Sequence, residues 1–156
     1  MTLLLSRTPP KTVAWLGYGG LLPFVGLALA SALDQDHGAW WLQALLGYGA
    51  VILSFVGALH WGIAMVAADM VSRSGCYAWS VVPSLLGWTG LLVAQVGFPG
   101  LAAVVLVTGF FAHFVMDLRL AKAANLLPGW YLPLRLRLTA VATLCLLLSL
   151  ALRVLP

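Results

Sequence analysis

The sequence predicts an all-α integral membrane protein. We expect one domain over residues 1–156, a bundle of five transmembrane helices with the N-terminus cytoplasmic and the C-terminus outside. Two observations carry this prediction: the chain is 63% hydrophobic and only 8% charged, and its mean hydropathy is +1.05. A soluble domain usually carries about 25% charged residues. At roughly 20 residues for each span, the chain has room for about five spans.

The first predicted span covers residues 12–33 and follows a start that contains Arg7 and Lys11. The sequence LASA at residues 29–32 is similar to a signal-peptide cleavage site, so that alternative has to be weighed. The apolar run is longer than the usual signal-peptide core of about 7–15 residues, and glycines and Pro23 interrupt it. We therefore interpret it as a span retained in the protein.

The second predicted span, residues 41–68, contains the most informative stretch of the chain. This is the uncharged sequence GYGAVILSFVGALHWG at residues 47–62. In a helix, its small residues would form a stripe at three- and four-residue steps, which allows another helix backbone to approach closely in lipid. The predicted helix-packing residues are Gly47, Ala50, Ser54 and Gly57.

The remaining spans are predicted at residues 78–96, 101–118 and 134–154. Pro83 falls near the start of the third span, where its missing amide is most easily tolerated. Residues 97–100 form a tight, uncharged turn before the fourth span. Five spans cannot divide into two equal halves, which argues against an inverted-repeat transporter.

The positions of the Lys and Arg residues give the predicted orientation and location. A cytoplasmic N-terminus places seven basic residues inside and one outside, as the positive-inside rule requires. We therefore predict a multi-pass protein of a bacterial inner membrane, with a mitochondrial inner membrane as the alternative. The expected partners are the lipid bilayer and another membrane protein or further copies of this chain, and not nucleic acid. The inner residues are Arg7, Lys11, Arg73, Arg119, Lys122, Arg135 and Arg137, and the outer one is Arg153.

Ionisable residues inside the predicted spans are the candidates for a binding site, because such residues are costly in lipid. His113 and Asp117 are four residues apart in the fourth span, so they share a helix face and Asp117 could accept the ring N–H of His113. His60 lies at a similar depth in the second span. One interpretation is a ligand pocket lined by His60, Trp61, Trp88, His113 and Asp117.

The alternative interpretation of the same residues is structural. Each histidine would then bond to a neighbouring carbonyl or hydroxyl group, and Asp117 would pair with Arg119, Arg135 or Arg137 at the membrane interface. Trp79, at the start of the third span, is interpreted as an interfacial anchor.

The sequence contains no recognisable catalytic motif. It has no glycine-rich phosphate loop and no nucleophile elbow, and its two cysteines match no metal motif. We therefore expect no catalytic residue and no metal-binding residue. The sequence does not identify a cofactor. The predicted function is a non-enzymatic accessory, assembly or interaction subunit that binds a lipid or hydrophobic cofactor. The alternative is a small-molecule binding, sensing or transport protein with a histidine-lined intramembrane pocket.

Several motifs along the chain are similar to those of one family. In order they are GLLPF at residues 20–24, YGAVILSF at 48–55 with HWG at 60–62, VPSLL at 82–86, DLR at 117–119, and LPGWY at 127–131 leading to LR at 134–135. Together they resemble a family of small multi-span membrane proteins with a domain of unknown function, which includes transmembrane protein 69. The resemblance implies a multi-span inner-membrane protein and assigns no catalytic residue.

Overall fold

The computed structural model describes residues 8–66, 73–124 and 127–154, and within these ranges the chain forms helices and no strand. Five helical stretches in this part of the chain are long and apolar enough to cross a membrane. The predicted all-α bundle with five spans is therefore confirmed. The helices are α1 (Lys11–Gly19), α2 (Leu22–Leu33), α3 (Gly38–Val66), α4 (Arg73–Gln95), α5 (Pro99–Ala124) and α6 (Tyr131–Val154).

Helix α3 lies at the centre of the bundle, where it packs against α2, α4, α5 and α6. Its residues Leu45 and Leu53 are fully buried, together with Leu106 of α5 and Leu146 of α6. Lipid tails are as apolar as leucine, so what holds these helices together is close packing and hydrogen bonding rather than removal of surface from water. The position of α3 therefore decides which side chains meet in the interior.

Helices α3 and α4 approach each other closely at Gly57. A Cβ atom placed on Gly57 would lie 2.9 Å from Cβ of Pro83 and 2.9 Å from the carbonyl oxygen of Ser80. Only glycine fits at that distance. Pro83 lies inside α4 rather than near its start, because α4 begins at Arg73 and not at residue 78 as the apolar run predicts.

The other residues of the predicted small stripe divide between two environments. A Cβ atom on Gly87 of α4 would lie 2.9 Å from the carbonyl oxygen of Ala50 and 3.2 Å from Oγ of Ser54, so these two residues face α4. Gly47 has open space around it and takes no part in this contact.

Several helices extend beyond the predicted spans. Helix α5 continues past residue 118 to Ala124, and α6 begins at Tyr131 rather than at residue 134. Hydropathy marks the apolar part of a helix, whereas the hydrogen-bonded helix also includes polar residues at its ends. The predicted end of the second span at residue 68 falls outside the described residues.

The first span is not one continuous helix. It is interrupted at Gly20 and Leu21, between α1 and α2. The hydroxyl group of Tyr48 donates a hydrogen bond of 2.9 Å to the Gly20 carbonyl oxygen, and the Leu21 amide donates one of 3.0 Å to the Tyr18 carbonyl oxygen. Irregular backbone at membrane depth is tolerated only where protein buries it or where it lines a water-filled cavity, and here the Tyr48 hydroxyl group supplies the partner.

The turn between α2 and α3 is organised by Asp34. Its carboxylate accepts hydrogen bonds from the Trp41 indole at 3.0 Å and from the His37 backbone amide at 3.2 Å. These two donors hold the pKa of Asp34 below its usual value, with the Trp41 indole as the larger cause. Close to this turn, Arg153 of α6 donates to the carbonyl oxygen of Ser31 at 3.2 Å.

Candidate functional site

A buried polar cluster has Asp117 of α5 at its centre. Asp117 is fully buried. Its Oδ2 accepts a hydrogen bond of 2.9 Å from Nε of Arg135, and its Oδ1 accepts one of 3.1 Å from the Tyr131 hydroxyl group, both from α6. Removing either charge of such a pair leaves the other buried and uncompensated. Of the three arginines that the sequence offers as partners, the fold selects Arg135.

His60 of α3 and His113 of α5 lie beside this carboxylate and contact each other. Their ring centroids are 4.7 Å apart, with the rings at 68°. Each Nε2 atom lies 3.8 Å from Oδ1 of Asp117, which is too long for a hydrogen bond. The expected hydrogen bond from His113 to Asp117 is therefore not formed, and the carboxylate accepts from Tyr131 and Arg135 instead.

Trp79 of α4 fixes which ring nitrogen of His113 carries the proton. Its indole Nε1 donates a hydrogen bond of 3.1 Å to Nδ1 of His113. An indole nitrogen can only donate, so Nδ1 must be the acceptor and the proton of a neutral ring lies on Nε2. The interpretation of Trp79 as an interfacial anchor did not include this contact. Its partner lies 34 residues away on another helix, and nothing in the local pattern indicates the pairing.

His60, His113 and Asp117 are close enough together to be considered as metal ligands. One ligand atom from each lies within 4.8 Å of the others. A neutral histidine that binds a metal through Nε2 carries its proton on Nδ1. The hydrogen bond from Trp79 imposes the opposite tautomer on His113. A divalent cation would also lie near the Arg135 guanidinium. The tautomer of His113 and the nearby guanidinium group therefore argue against a metal centre here.

The two tryptophans of the predicted pocket lie elsewhere. Trp61 is 49% exposed and Trp88 is 60% exposed. The Trp61 ring packs edge-to-face on Tyr77, with centroids 5.0 Å apart. The structure thus brings together His60, His113 and Asp117 but leaves both tryptophans on the outer surface of the bundle.

A crevice with a cavity volume of about 120 Å³ lies between the interrupted first span and α6. At its rim are Leu16 and Phe55, which are 74% and 64% exposed on the bundle surface. Its floor is apolar and buried, and includes Phe24 and Phe110. The break at Gly20 also lines it, and there the Tyr48 hydroxyl group satisfies the Gly20 carbonyl oxygen.

The polar residues of the crevice are Arg135 and Thr139 of α6. They are only 6% and 8% exposed, and neither Nη2 of Arg135 nor Oγ1 of Thr139 has a hydrogen-bond partner among the described residues. Buried polar atoms are nearly always paired, so unpaired ones indicate a position for a further group. Arg135 therefore connects the crevice to the Asp117 cluster. The sequence did not predict this crevice.

The fold and its interior define a polytopic α-helical membrane protein with a buried polar cluster and a lateral crevice. The chain belongs to the family described as Protein of unknown function (DUF3429), which matches residues 9–151. It is similar to "Transmembrane protein 69" of Xenopus tropicalis, at 33% identity over 149 residues that cover 92% of this chain and 55% of the relative. The chain thus spans about half the length of that curated relative. No solved structure matches this chain.

Proposed function

We propose that this protein is a non-enzymatic membrane subunit, with an accessory, assembly or interaction role, that binds a lipid or another hydrophobic molecule in the crevice. The observation that carries the proposal is the crevice itself, which combines an exposed rim, an apolar floor and two buried polar groups. Ligand sites in proteins have this composition: mostly apolar walls with a few polar groups that orient the ligand.

The interrupted first span supports this proposal. A continuous helix would satisfy all its backbone groups internally, whereas this span is broken beside the crevice and relies on Tyr48 to hydrogen-bond the Gly20 carbonyl group. In membrane proteins, discontinuous helices commonly border binding sites. The break therefore favours a binding role over a purely space-filling one.

A non-enzymatic role is supported by the way the ionisable groups are used. Both oxygens of Asp117 accept hydrogen bonds from Arg135 and Tyr131, and Nδ1 of His113 accepts one from Trp79. A general acid or base must be able to reach a substrate. These groups are directed at one another instead.

The test is mass spectrometry of the protein extracted gently in native lipid particles. Leu138→Trp places a large side chain in the crevice from a half-buried position, and Leu136→Trp makes the same change at an exposed position of α6 outside it. We expect a hydrophobic molecule in fixed stoichiometry with the wild type and Leu136→Trp, and its loss from Leu138→Trp. Retention in Leu138→Trp, or a reproducible partner protein with no bound molecule, would contradict ligand binding.

A second candidate is small-molecule binding, sensing or transport at the histidines. It is favoured by one observation: Nδ1 and Nε2 of His60 and Nε2 of His113 are buried without a hydrogen-bond partner in the described part of the chain. His60→Ala would then weaken binding of the molecule and leave the bundle folded. Misfolding of that variant would identify His60 as a packing residue.

We also propose the location and orientation that the basic residues favour. The proposal is a bacterial inner membrane with the N-terminus in the cytoplasm, and it is supported by the distribution of Lys and Arg along the sequence. Fusion of a reporter that is active only in the cytoplasm to each terminus tests it, and activity at the C-terminal fusion would overturn it.

A further inference from the structure

We infer that the inner end of the crevice holds a neutral, carbonyl-bearing head group, such as an ester or ketone, which accepts hydrogen bonds from Arg135 and Thr139. This inference rests on the proposed function and specifies the chemistry of the molecule bound at that site. It is carried by three features: an unpaired hydroxyl group, an unpaired guanidinium nitrogen and a charge that is already balanced.

The hydroxyl group of Thr139 differs from that of its neighbour on the same helix. Thr143, one turn further along α6, donates to the carbonyl oxygens of Thr139 at 2.8 Å and Ala140 at 3.1 Å. This is the usual way for a hydroxyl group in an apolar helix to be satisfied. Thr139 lines the crevice, and its Oγ1 makes no such bond to any described residue. The Thr139 hydroxyl group therefore lacks a hydrogen-bond partner within the described residues.

The guanidinium group of Arg135 supplies a second donor. Its Nε is engaged by Asp117 at 2.9 Å, which fixes the plane of the group. Its Nη2 is buried and has no acceptor among the residues that the structure describes. A rigid, pre-oriented donor of this kind loses little freedom when it forms a hydrogen bond. Arg135 and Thr139 lie four residues apart, so both donors are on one face of α6.

The charge balance decides between a neutral and an anionic head group. Arg135 is neutralised by Asp117, and His113 is neutral because its Nδ1 accepts from Trp79. A carboxylate or phosphate in the crevice would add an uncompensated negative charge beside Asp117 in a low-dielectric interior, which is costly. A carbonyl oxygen accepts the same two hydrogen bonds without adding charge.

The size of the crevice indicates how much of the molecule it encloses. Its volume of about 120 Å³ is slightly smaller than the engineered cavity of about 150 Å³ that holds benzene. It therefore takes the head group and a few methylene groups. The rest of an acyl chain would leave over the exposed rim at Leu16 and Phe55, which is the side open to the bilayer.

The experiment compares three probes with ten-carbon chains: methyl decanoate, decanoate and decane. Each is titrated against the purified full-length protein in detergent, and occupancy is measured by native mass spectrometry. The variants are Thr139→Val, which removes the hydroxyl group at nearly constant volume, Thr139→Ser, which restores it, and Thr143→Val as the matched control. The occupancy of each probe is compared between variants. The partition of that probe into detergent micelles then affects every variant equally.

We expect methyl decanoate to bind the wild type, Thr139→Ser and Thr143→Val alike, and to bind Thr139→Val about three- to tenfold more weakly, as the loss of one hydrogen bond predicts. Decane should bind the wild type and Thr139→Val equally. Preference for decanoate that depends on Thr139 would overturn the neutral head group. Equal occupancy by methyl decanoate in all variants would overturn the polar contact. Failure of all three probes to bind the wild type would instead overturn the proposed function.

Discussion

The indole Nε1 of Trp79 donates a hydrogen bond of 3.1 Å to Nδ1 of His113, and this contact joins α4 to α5 inside the membrane-spanning bundle. It fixes one tautomer of His113, whose Nε2 lies 3.8 Å from Oδ1 of Asp117 on the same helix. Through Asp117 the network continues to Arg135 and Tyr131 of α6. A chain of polar contacts thus connects three helices that are otherwise held by apolar packing.

Trp79→Phe should destabilise the protein, because it leaves Nδ1 of His113 buried without its donor. An unsatisfied buried group costs about 1–3 kcal/mol. Thermal unfolding in detergent measures this effect. Trp88→Phe, the same change at an exposed position of α4, is the control and should shift the melting temperature little. Nitrogen NMR of His113 gives a second readout: the variant should show a mixture of tautomers, and a single unchanged tautomer would argue against the role of Trp79.

Asp117→Asn should destabilise the bundle by about 3–5 kcal/mol, because the Arg135 guanidinium would remain buried without its counter-charge. The double variant Asp117→Asn with Arg135→Met should recover much of that loss, since both charges are then absent. Equilibrium unfolding in detergent compares the variants. Asp36→Asn removes an exposed carboxylate and should change stability by less than about 0.5 kcal/mol. Equal stability of Asp117→Asn and Asp36→Asn would mean that the Asp117–Arg135 pair is not formed.

Gly57→Ala and Gly47→Ala should have opposite effects on stability. The new methyl group at residue 57 would lie 2.9 Å from Pro83 and from the Ser80 carbonyl oxygen, so α3 and α4 must separate, at a cost of about 1–3 kcal/mol. Residue 47 has open space, and alanine there should stabilise the helix by about 0.5–1 kcal/mol. Melting temperatures provide the comparison. A stabilising Gly57→Ala would show that the helices are not in such close contact.

The carboxyl group of Asp34 should titrate below its usual range, because the Trp41 indole and the His37 amide favour its charged form. Its contribution to stability is complete above the pKa of Asp in the unfolded chain. It is lost as the pH falls through the lower pKa of the folded state. Carbon NMR should show the Asp34 pKa rising towards its usual value in Trp41→Phe. Trp40→Phe is the neighbouring control, and an identical Asp34 pKa in all three proteins would refute the assignment.

Much of the architecture could be predicted because it depends on local composition. The number of spans follows from the length and apolarity of each run, and the four-residue spacing places His113 and Asp117 on one helix face. The sequence also limits the partner of Asp117 to Arg119, Arg135 or Arg137. Selecting Arg135 requires the relative rotation of α5 and α6, which no local pattern specifies.

The features that sequence reasoning missed all depend on contacts between distant segments. Trp79 has the composition and position of an interfacial residue, and its bond to His113 exists only because α4 and α5 are neighbours. The glycines and Pro23 predict an interruption of the first span, but the hydrogen bond from Tyr48 of α3 to the Gly20 carbonyl group depends on the fold. The crevice likewise arises from the way α1, α2 and α6 meet.

The most direct test of ligand binding in the crevice is photo-crosslinking with an acyl ester that carries a diazirine near its head group. The protein is labelled in lipid nanodiscs over a range of probe concentrations, and the adducts are located by peptide mass spectrometry. We predict saturable labelling at residues 16–24 and 135–142 that Leu138→Trp abolishes and Leu136→Trp retains. Labelling that rises linearly with probe concentration and is spread over the exposed faces of the bundle would show that the crevice holds no ligand.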